Sequence, residues 1–531
     1  MAEIKKPIVL AILDGWGFSA KTVGNPIKQA RTPVLDRINA EYPMVLLQAS
    51  GLAVGMAWGE SGNSEVGHLN IGAGRIIEQY YSRINLAIAD KSFFTNPALA
   101  GAFSHARQNG SRVHLIGLLT SGTVHAAFGH IAALIEMAVQ NQQAETYLHL
   151  FTDGRDSGLQ EGINILAKLN AEIAKHGCGK IATIVGRDFA MDRDNNWERT
   201  QKTYDLIVRA GGEKSNNLTA TIGNYYQQGI NDSALPPSVN EGAGYAGLAD
   251  NDALIFFNFR EDSMRQLSRA FTENEFPFFD RADLKNLYLA AMTRYLEAKA
   301  EDKYEVKAAF APPEVKNGLA EILSLNGKSQ MHMAESEKYA HVTYFFNGLK
   351  NAAFPGETDV FIDSIKDIEQ NPALGSAEIA AKVGSALDQD LYDFIIFNLA
   401  NADLLAHTGN FDAVVKGIEA VDAALGQIQS KALEKDGVLL VTADHGNAES
   451  LIYKTGGEAE TKHDDSPVFF YLVGRQYQTP KTEHEIEEEA KSIDGILPDI
   501  APTILQLLGL PQPPEMTGQS LLPSLGSESR G

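Results

Sequence analysis

One serine and six residues of metal-ligand type define the chemistry that this sequence can do. Ser64 lies in residues 59–68 (GESGNSEVGH), where Gly62 and Asn63 precede it and Glu65, Val66 and Gly67 follow. That is loop-then-helix composition, so the hydroxyl is expected at or near a helix N-terminus, where free N–H groups favour an anion. The ordinary job for serine in such a place is capping. The other six residues change that balance. Asp14 ends an apolar run at residues 7–13 (PIVLAIL), and Asp403 and His407 stand four apart, on one face of a helical turn. Asp444 and His445 follow the apolar residues 438–442 (VLLVT), and His463 lies in residues 462–467 (KHDDSP). With Ser64 these make seven donors, a number that suits two divalent cations. Nitrogen and oxygen donors without thiolate point to Mn, Zn, Co or Fe over Ca. Such a pair lowers the pKa of an alcohol and offsets charge on a phosphoryl group in flight. The reaction class is therefore phosphoryl transfer through a phosphoserine.

A second group of residues suits an anion. His125, Asp153, Arg155, Asp156, Arg187, Arg193, Arg260 and Arg265 follow apolar segments between residues 112 and 260 or lie close after them. Any single arginine, such as Arg193 between Asp192 and Asp194, is ordinarily a surface ion-pair partner. Several of them recurring after strands define a shared anion pocket, because guanidinium forks bind phosphate and carboxylate in a bidentate way. Lys338, in residues 333–341 (MAESEKYAH), is either a surface lysine or a cation aimed at substrate.

Apolar strands alternating with helical patterns must position these residues. Residues 112–119, 145–151, 180–185, 394–399, 438–442 and 468–473 read as buried strands, residues 160–175 and 411–428 as helices, and 499–510 as a closing helix. The acidic run 483–489 reads as a solvated face or loop. This alternation predicts an α/β fold with parallel sheets. Gly72 and Gly74 lack a third glycine in register, and no phosphate-loop motif occurs, so a nucleotide fingerprint carries little weight. The length of 531 residues implies two or more domains. The 45 Lys+Arg against 68 Asp+Glu give a net charge of −23, which argues against nucleic acid and anionic membranes as partners. Cys178 is the only cysteine, which excludes an intrachain disulfide and fits a reducing, cytoplasmic setting. Lys5 and Lys6 before an apolar run imitate a signal peptide, but Asp14 ends the run early, so a strand is expected. No run approaches the roughly 20 apolar residues of a spanning helix.

Longer motifs carry a resemblance. LDGWG (13–17), GNSEVGHLNIGAGR (62–75), FTDGRD (151–156), AMDRD (190–194), EKYAHVT (337–343), TADHGNAE (442–449), APTIL (501–505) and MTG (516–518) stand in one order along nearly the whole chain. In these the sequence resembles the cofactor-independent (2,3-bisphosphoglycerate-independent) phosphoglycerate mutases of the alkaline phosphatase superfamily. The resemblance implies two Mn²⁺ ions, one on Asp403, His407 and His463, the other on Asp14, Ser64, Asp444 and His445. It implies Ser64 as nucleophile, Asp156 as acid and base, and Lys338 beside them. It also implies phosphoglycerate bound by His125, Arg155, Asp156, Arg187, Arg193, Arg260 and Lys338, with no bisphosphoglycerate required. An alkaline-phosphatase-like domain from residues 1–78 and 312–531, with an inserted phosphotransferase domain at 79–311, is the expected organisation, in a monomer. The family has a second arginine three residues after the one matched by Arg260; here that position is Ser263, with Arg265 two further on. Residues 118–126 lack the aspartate and serine usual around His125, and 364–380 diverge. The rival readings are a metal-dependent phosphohydrolase or another phosphomutase, which would share the seven ligands, and a catalytically silent metal- or anion-binding protein.

Overall fold

Two eight-stranded sheets divide the chain between two units. The computed structural model describes residues 7–143, 145–451 and 461–526, and Lys5 and Lys6 lie outside them. One unit comprises residues 1–78 with 313–531, the other residues 79–312.

In the first unit the strands run in the order Glu357–Ile362, Gln330–Glu335, Phe394–Leu399, Ile8–Leu13, Val438–Thr442, Val468–Val473, Met44–Gln48, Ile493–Ile496. Ile8–Leu13 is central and wholly apolar because it is covered on both faces, and each of its residues is buried. Its neighbours Phe394–Leu399 and Val438–Thr442 both run parallel to it. Three parallel strands end at one edge, so Asp14, the helix Asn401–Ala406 and the pair Asp444–His445 emerge together there. Val468–Val473 is antiparallel to both of its neighbours. The acidic run, read as a solvated face or loop, forms the exposed helix Glu483–Glu489. A capping box explains it: Thr482 Oγ1 accepts from the Glu485 N–H while the Glu485 carboxylate accepts from the Thr482 N–H at 2.7 Å. Glu483 and Glu485 also favour the positive end of the helix dipole.

The second unit orders its strands Val306–Ala308, Tyr288–Ala291, Ala253–Phe256, Val113–Leu119, Thr146–Thr152, Lys180–Gly186, Ser238–Asn240, Glu213–Ser215. Only the Lys180–Gly186 to Ser238–Asn240 pairing is antiparallel among these. Its core contains a polar chain across four strands. Arg112 grips Asp252 with Nη2 at 2.6 Å and Nε at 3.2 Å, and His114 Nε2 lies 3.2 Å from the same carboxylate. His114 Nδ1 meets His149 Nε2 at 3.0 Å, and His149 Nδ1 meets Thr183 Oγ1 at 2.9 Å. Burial raises the Asp252 pKa, but hydrogen bonds from His114 and Arg112 outweigh it and hold the carboxyl well below its usual range. A depressed carboxylate stabilises the fold above its unfolded pKa and loses that contribution as acid protonates it. Asp252→Ala removes the carboxylate that Arg112 and His114 share and leaves Arg112 only the Gly247 carbonyl, so denaturant unfolding at neutral pH should show a loss of about 3 kcal/mol.

Among the described residues no helix is long and apolar enough to cross a membrane.

Candidate active site

The Ser64 hydroxyl is free for chemistry because a neighbour does the capping. Asn63 is the N-cap of helix Ser64–Ala73, its side chain accepting from the Val66 N–H at 2.9 Å, which leaves Ser64 as the first helical residue. Ser64 Oγ lies 3.1 Å from Asp14 Oδ1 and 3.0 Å from His445 Nε2, and it accepts from Lys338 Nζ at 2.8 Å. With the lysine donating, the serine's own proton points to Asp14. The helix is buried almost throughout, and its glycines explain how it seats. A methyl at Gly67 would come within 2.5 Å of the Asp444 carbonyl oxygen, and one at Gly72 within 2.0 Å of the Phe346 carbonyl. Gly67→Ala should therefore push the serine helix off Asp444. Chemical denaturation should report a loss of about 1–3 kcal/mol.

Three imidazoles turn their Nε2 atoms toward this edge. His407 Nδ1 bonds the Thr461 carbonyl at 2.8 Å, His463 Nδ1 the Gly62 carbonyl at 2.8 Å, and His445 Nδ1 the Gly446 carbonyl at 3.1 Å. A carbonyl only accepts, so each Nδ1 carries a hydrogen and each Nε2 faces inward, where release of any second ring proton exposes a lone pair. The His407 and His463 Nε2 atoms are 3.1 Å apart, and each is 3.3 Å from Asp403 Oδ1. Two Nε2 atoms converging on one carboxylate oxygen form a donor set that a divalent transition metal fits once it displaces the ring protons. Asp403, His445 and His463 form one such group, and Asp14, His68 and Asp444 another.

Lys338 is the fixed cation of the cluster. Its ammonium, almost fully buried, also meets Asp14 Oδ1 at 2.9 Å and Asp403 Oδ2 at 2.6 Å. Burial lowers its pKa, but Asp14 and Asp403 outweigh that and keep it charged. Both carboxylates are raised by burial and lowered further by Lys338, ending below their usual range. For His445 burial acts downward, yet Asp444, Asp14 and Asp403 push it up to about 10. The sequence reading missed four residues that brace the ligands: His68, Asn398, Asn447 and Glu449. Asn447 donates to Asp403 Oδ1 at 2.7 Å, and Glu449 accepts from the Gly17 and Asn447 N–H groups at 2.9 and 3.0 Å. His68 stands one helical turn after Ser64, and Asn398 is the lone amide in an apolar strand. Both were signals that the sequence held.

The anion candidates gather in the second unit. A cavity of about 230 Å³ is lined by His125, Arg155, Asp156, Arg187, Arg193 and Arg260, with Arg199 and Ser263 beside them. Each arginine rests on an aspartate: Arg155 on Asp188 at 2.5 Å, Arg193 on Asp262 at 2.6 Å, Arg260 on Asp262 at 3.2 Å, and Arg187 on Asp156 at 3.0 Å and on Asp153. Arg155, Arg193 and Arg260 are about half exposed, so an incoming anion can exchange for these partners. Burial and then the Arg187 charge push His125 down to about 4, which keeps it neutral. Ser263, where the resembling family has arginine, bonds His125 Nδ1 at 3.1 Å and fixes the ring. Arg265 does not line the cavity; its nearest acid is Glu261, 3.9 Å away. Asp153 accepts from Thr120 and Arg187 and from the backbone at Arg155, Asp156 and Ser157, so it shapes the turn.

Comparison with known proteins gives a consistent answer. Residues 84–297 match the family described as BPG-independent PGAM N-terminus. The chain is 42% identical over 524 residues to a 2,3-bisphosphoglycerate-independent phosphoglycerate mutase of Clostridioides difficile strain 630, covering 98% of this chain and 99% of that one. It is 42% identical to the corresponding mutase 1 of Methanosarcina barkeri, with 98% and 99% covered. Among solved structures it is similar to a Leishmania mexicana phosphoglycerate mutase crystallised at low cobalt concentration, with 27% identity, 97% of each chain covered and a TM-score of 0.67.

Proposed function

The chain belongs to the 2,3-bisphosphoglycerate-independent phosphoglycerate mutase family, within the alkaline phosphatase superfamily, and from that premise we propose that it interconverts 3-phosphoglycerate and 2-phosphoglycerate through a phosphoserine on Ser64. The observation that carries this reading is the Ser64 hydroxyl held by Asp14, His445 and Lys338, in a unit where the Nε2 atoms of His407 and His463 converge to 3.1 Å beside Asp403. Two divalent cations, Mn²⁺ in this proposal, would be held by Asp403, His407 and His463 and by Asp14, Ser64, Asp444 and His445. When bound they supply a lowered pKa for the serine and charge compensation for the phosphoryl group.

The chain's own residues divide the remaining work. In the unit of residues 1–78 and 313–531, the phosphatase unit of this proposal, Ser64 Oγ gives its proton to a neighbouring base and forms a bond to phosphorus. The bond from phosphorus to the substrate oxygen breaks, and that oxygen takes a proton from Asp156. Lys338 offsets negative charge at the serine oxygen. In the unit of residues 79–312, the phosphotransferase unit of this proposal, the arginines and neutral His125 retain the glycerate. Its other hydroxyl then gives a proton to Asp156 and bonds to phosphorus as the bond from phosphorus to Ser64 Oγ breaks, and Ser64 takes its proton back from the base. No external phosphoryl donor enters this balance. With 3-phosphoglycerate as sole phosphate ester, 2-phosphoglycerate is expected as the main product; free phosphate as the main product would favour the phosphohydrolase reading.

Cation binding should depend on pH in a fixed direction. Hydrogen bonding to Asp403 raises His407 and the carboxylates raise His445, so without a cation these rings hold protons that binding must release. Apparent Mn²⁺ affinity is therefore expected to rise from about pH 6 to 8. Activity lost on mild acidification should return with added Mn²⁺, and a flat affinity profile over that range would contradict this ligand assignment.

A further inference from the structure

His68 and Asn398 are both wholly buried, and neither is among the seven proposed ligands, although His68 clusters with two of them, Asp14 and Asp444. His68 Nδ1 lies 2.8 Å from the Ser64 carbonyl oxygen, which only accepts, so Nδ1 carries the ring hydrogen. The same Nδ1 is 3.2 Å from Asp444 Oδ2, whose other oxygen accepts from the Gly15 N–H at 3.1 Å. The opposite nitrogen, Nε2, is then an acceptor, and Asn398 Nδ2 stands 3.2 Å from it. The second hydrogen of that amide reaches Asp14 Oδ2 at 2.7 Å. A directed chain thus runs from the Asp14 carboxylate through Asn398 and His68 to the backbone of Ser64, with the same ring N–H 3.2 Å from Asp444 Oδ2. It connects a loop after one strand, the C-terminal end of a second strand, the serine helix and a loop after a third strand.

We infer that His68 and Asn398 are positioning residues that set the orientation of Asp14 and Asp444 and so determine how tightly one of the two cations binds. His68 is not itself a ligand in this inference, because both ring nitrogens are already engaged. Removing the amide frees Asp14 Oδ2 to rotate, and removing the ring frees Asp444 Oδ2. Asp403, His407 and His463 have no part in the chain, so the other cation position keeps its geometry. The inference rests on the two-cation reading and adds to it a role for residues outside the ligand set.

The test is calorimetric titration of Mn²⁺ into the metal-free full chain, with Asn398→Leu, His68→Leu and His68→Asn beside the unsubstituted protein and thermal unfolding of each metal-free form. Leucine removes the donors at similar volume, whereas asparagine at position 68 returns a donor near the place of Nδ1. The expected result is two equivalents in the unsubstituted protein, with one weakened by about 10- to 100-fold in both leucine variants. The other equivalent should change by less than about twofold, and His68→Asn should regain part of the loss. Two unchanged equivalents, or two weakened equally with His68→Asn no better than His68→Leu, would overturn the inference. If a leucine variant does not fold, the His68→Asn titration decides: one equivalent weakened supports the inference, and both unchanged or both weakened overturns it. Fewer than two equivalents in the unsubstituted protein would instead contradict the two-cation reading.

Discussion

Replacing Ser64 by alanine is expected to lower mutase turnover by at least about 10,000-fold, because it removes the atom that must carry the phosphoryl group. The substitution deletes one oxygen and leaves Asp14, His445 and Lys338 bonded to one another's neighbours, so the fold should persist. Mn²⁺ binding should remain measurable, since six of the seven proposed ligands are intact. A steady-state assay following 2-phosphoglycerate formation, with a parallel titration of the metal, checks both halves. Turnover within tenfold of the parent would remove the serine from the mechanism.

Asp403→Asn should produce the second largest effect. This carboxylate stands between Lys338, His407, His463 and Asn447, with one oxygen toward the histidines and the other toward the lysine. The amide keeps the size and discards the charge that balances Lys338 and holds two imidazoles to one point. Turnover should fall by at least about 100-fold and one cation equivalent should be lost. Excess Mn²⁺ should restore part of the rate if lost affinity is the cause. Retention of both equivalents at parental affinity would mean that Asp403 is only the lysine's counter-ion.

Much of the fold and of the site is legible in the sequence, and the reason is topological. A wholly apolar strand in a parallel sheet announces where it ends, so the sequence alone puts Asp14, Asp444 and His445 at strand ends. The four-residue interval from Asp403 to His407 encodes a shared helical face. Positions that act through hydrogen bonds are harder to see. His68 looks like any helical histidine until the Ser64 carbonyl and Asp444 are brought beside it. Asn398 reads as an interruption of an apolar run until Asp14 is seen across the neighbouring strand. Spacing alone leaves open whether Arg265 replaces the arginine absent at Ser263. The helix Arg265–Thr272 starts there and turns it toward Glu261 instead. The acidic run at 483–489 is solvated as read, and it takes the form of a helix, not a loop, because Thr482 caps it.

The most direct measurement is to mix the Mn²⁺-loaded protein with 3-phosphoglycerate, without bisphosphoglycerate, quench in acid during turnover, and map phosphate onto peptides by mass spectrometry. The expected result is phosphate on Ser64 that appears before 2-phosphoglycerate accumulates and is absent from the Ser64→Ala protein. Full-rate formation of 2-phosphoglycerate with no phosphate ever found on Ser64 would contradict it.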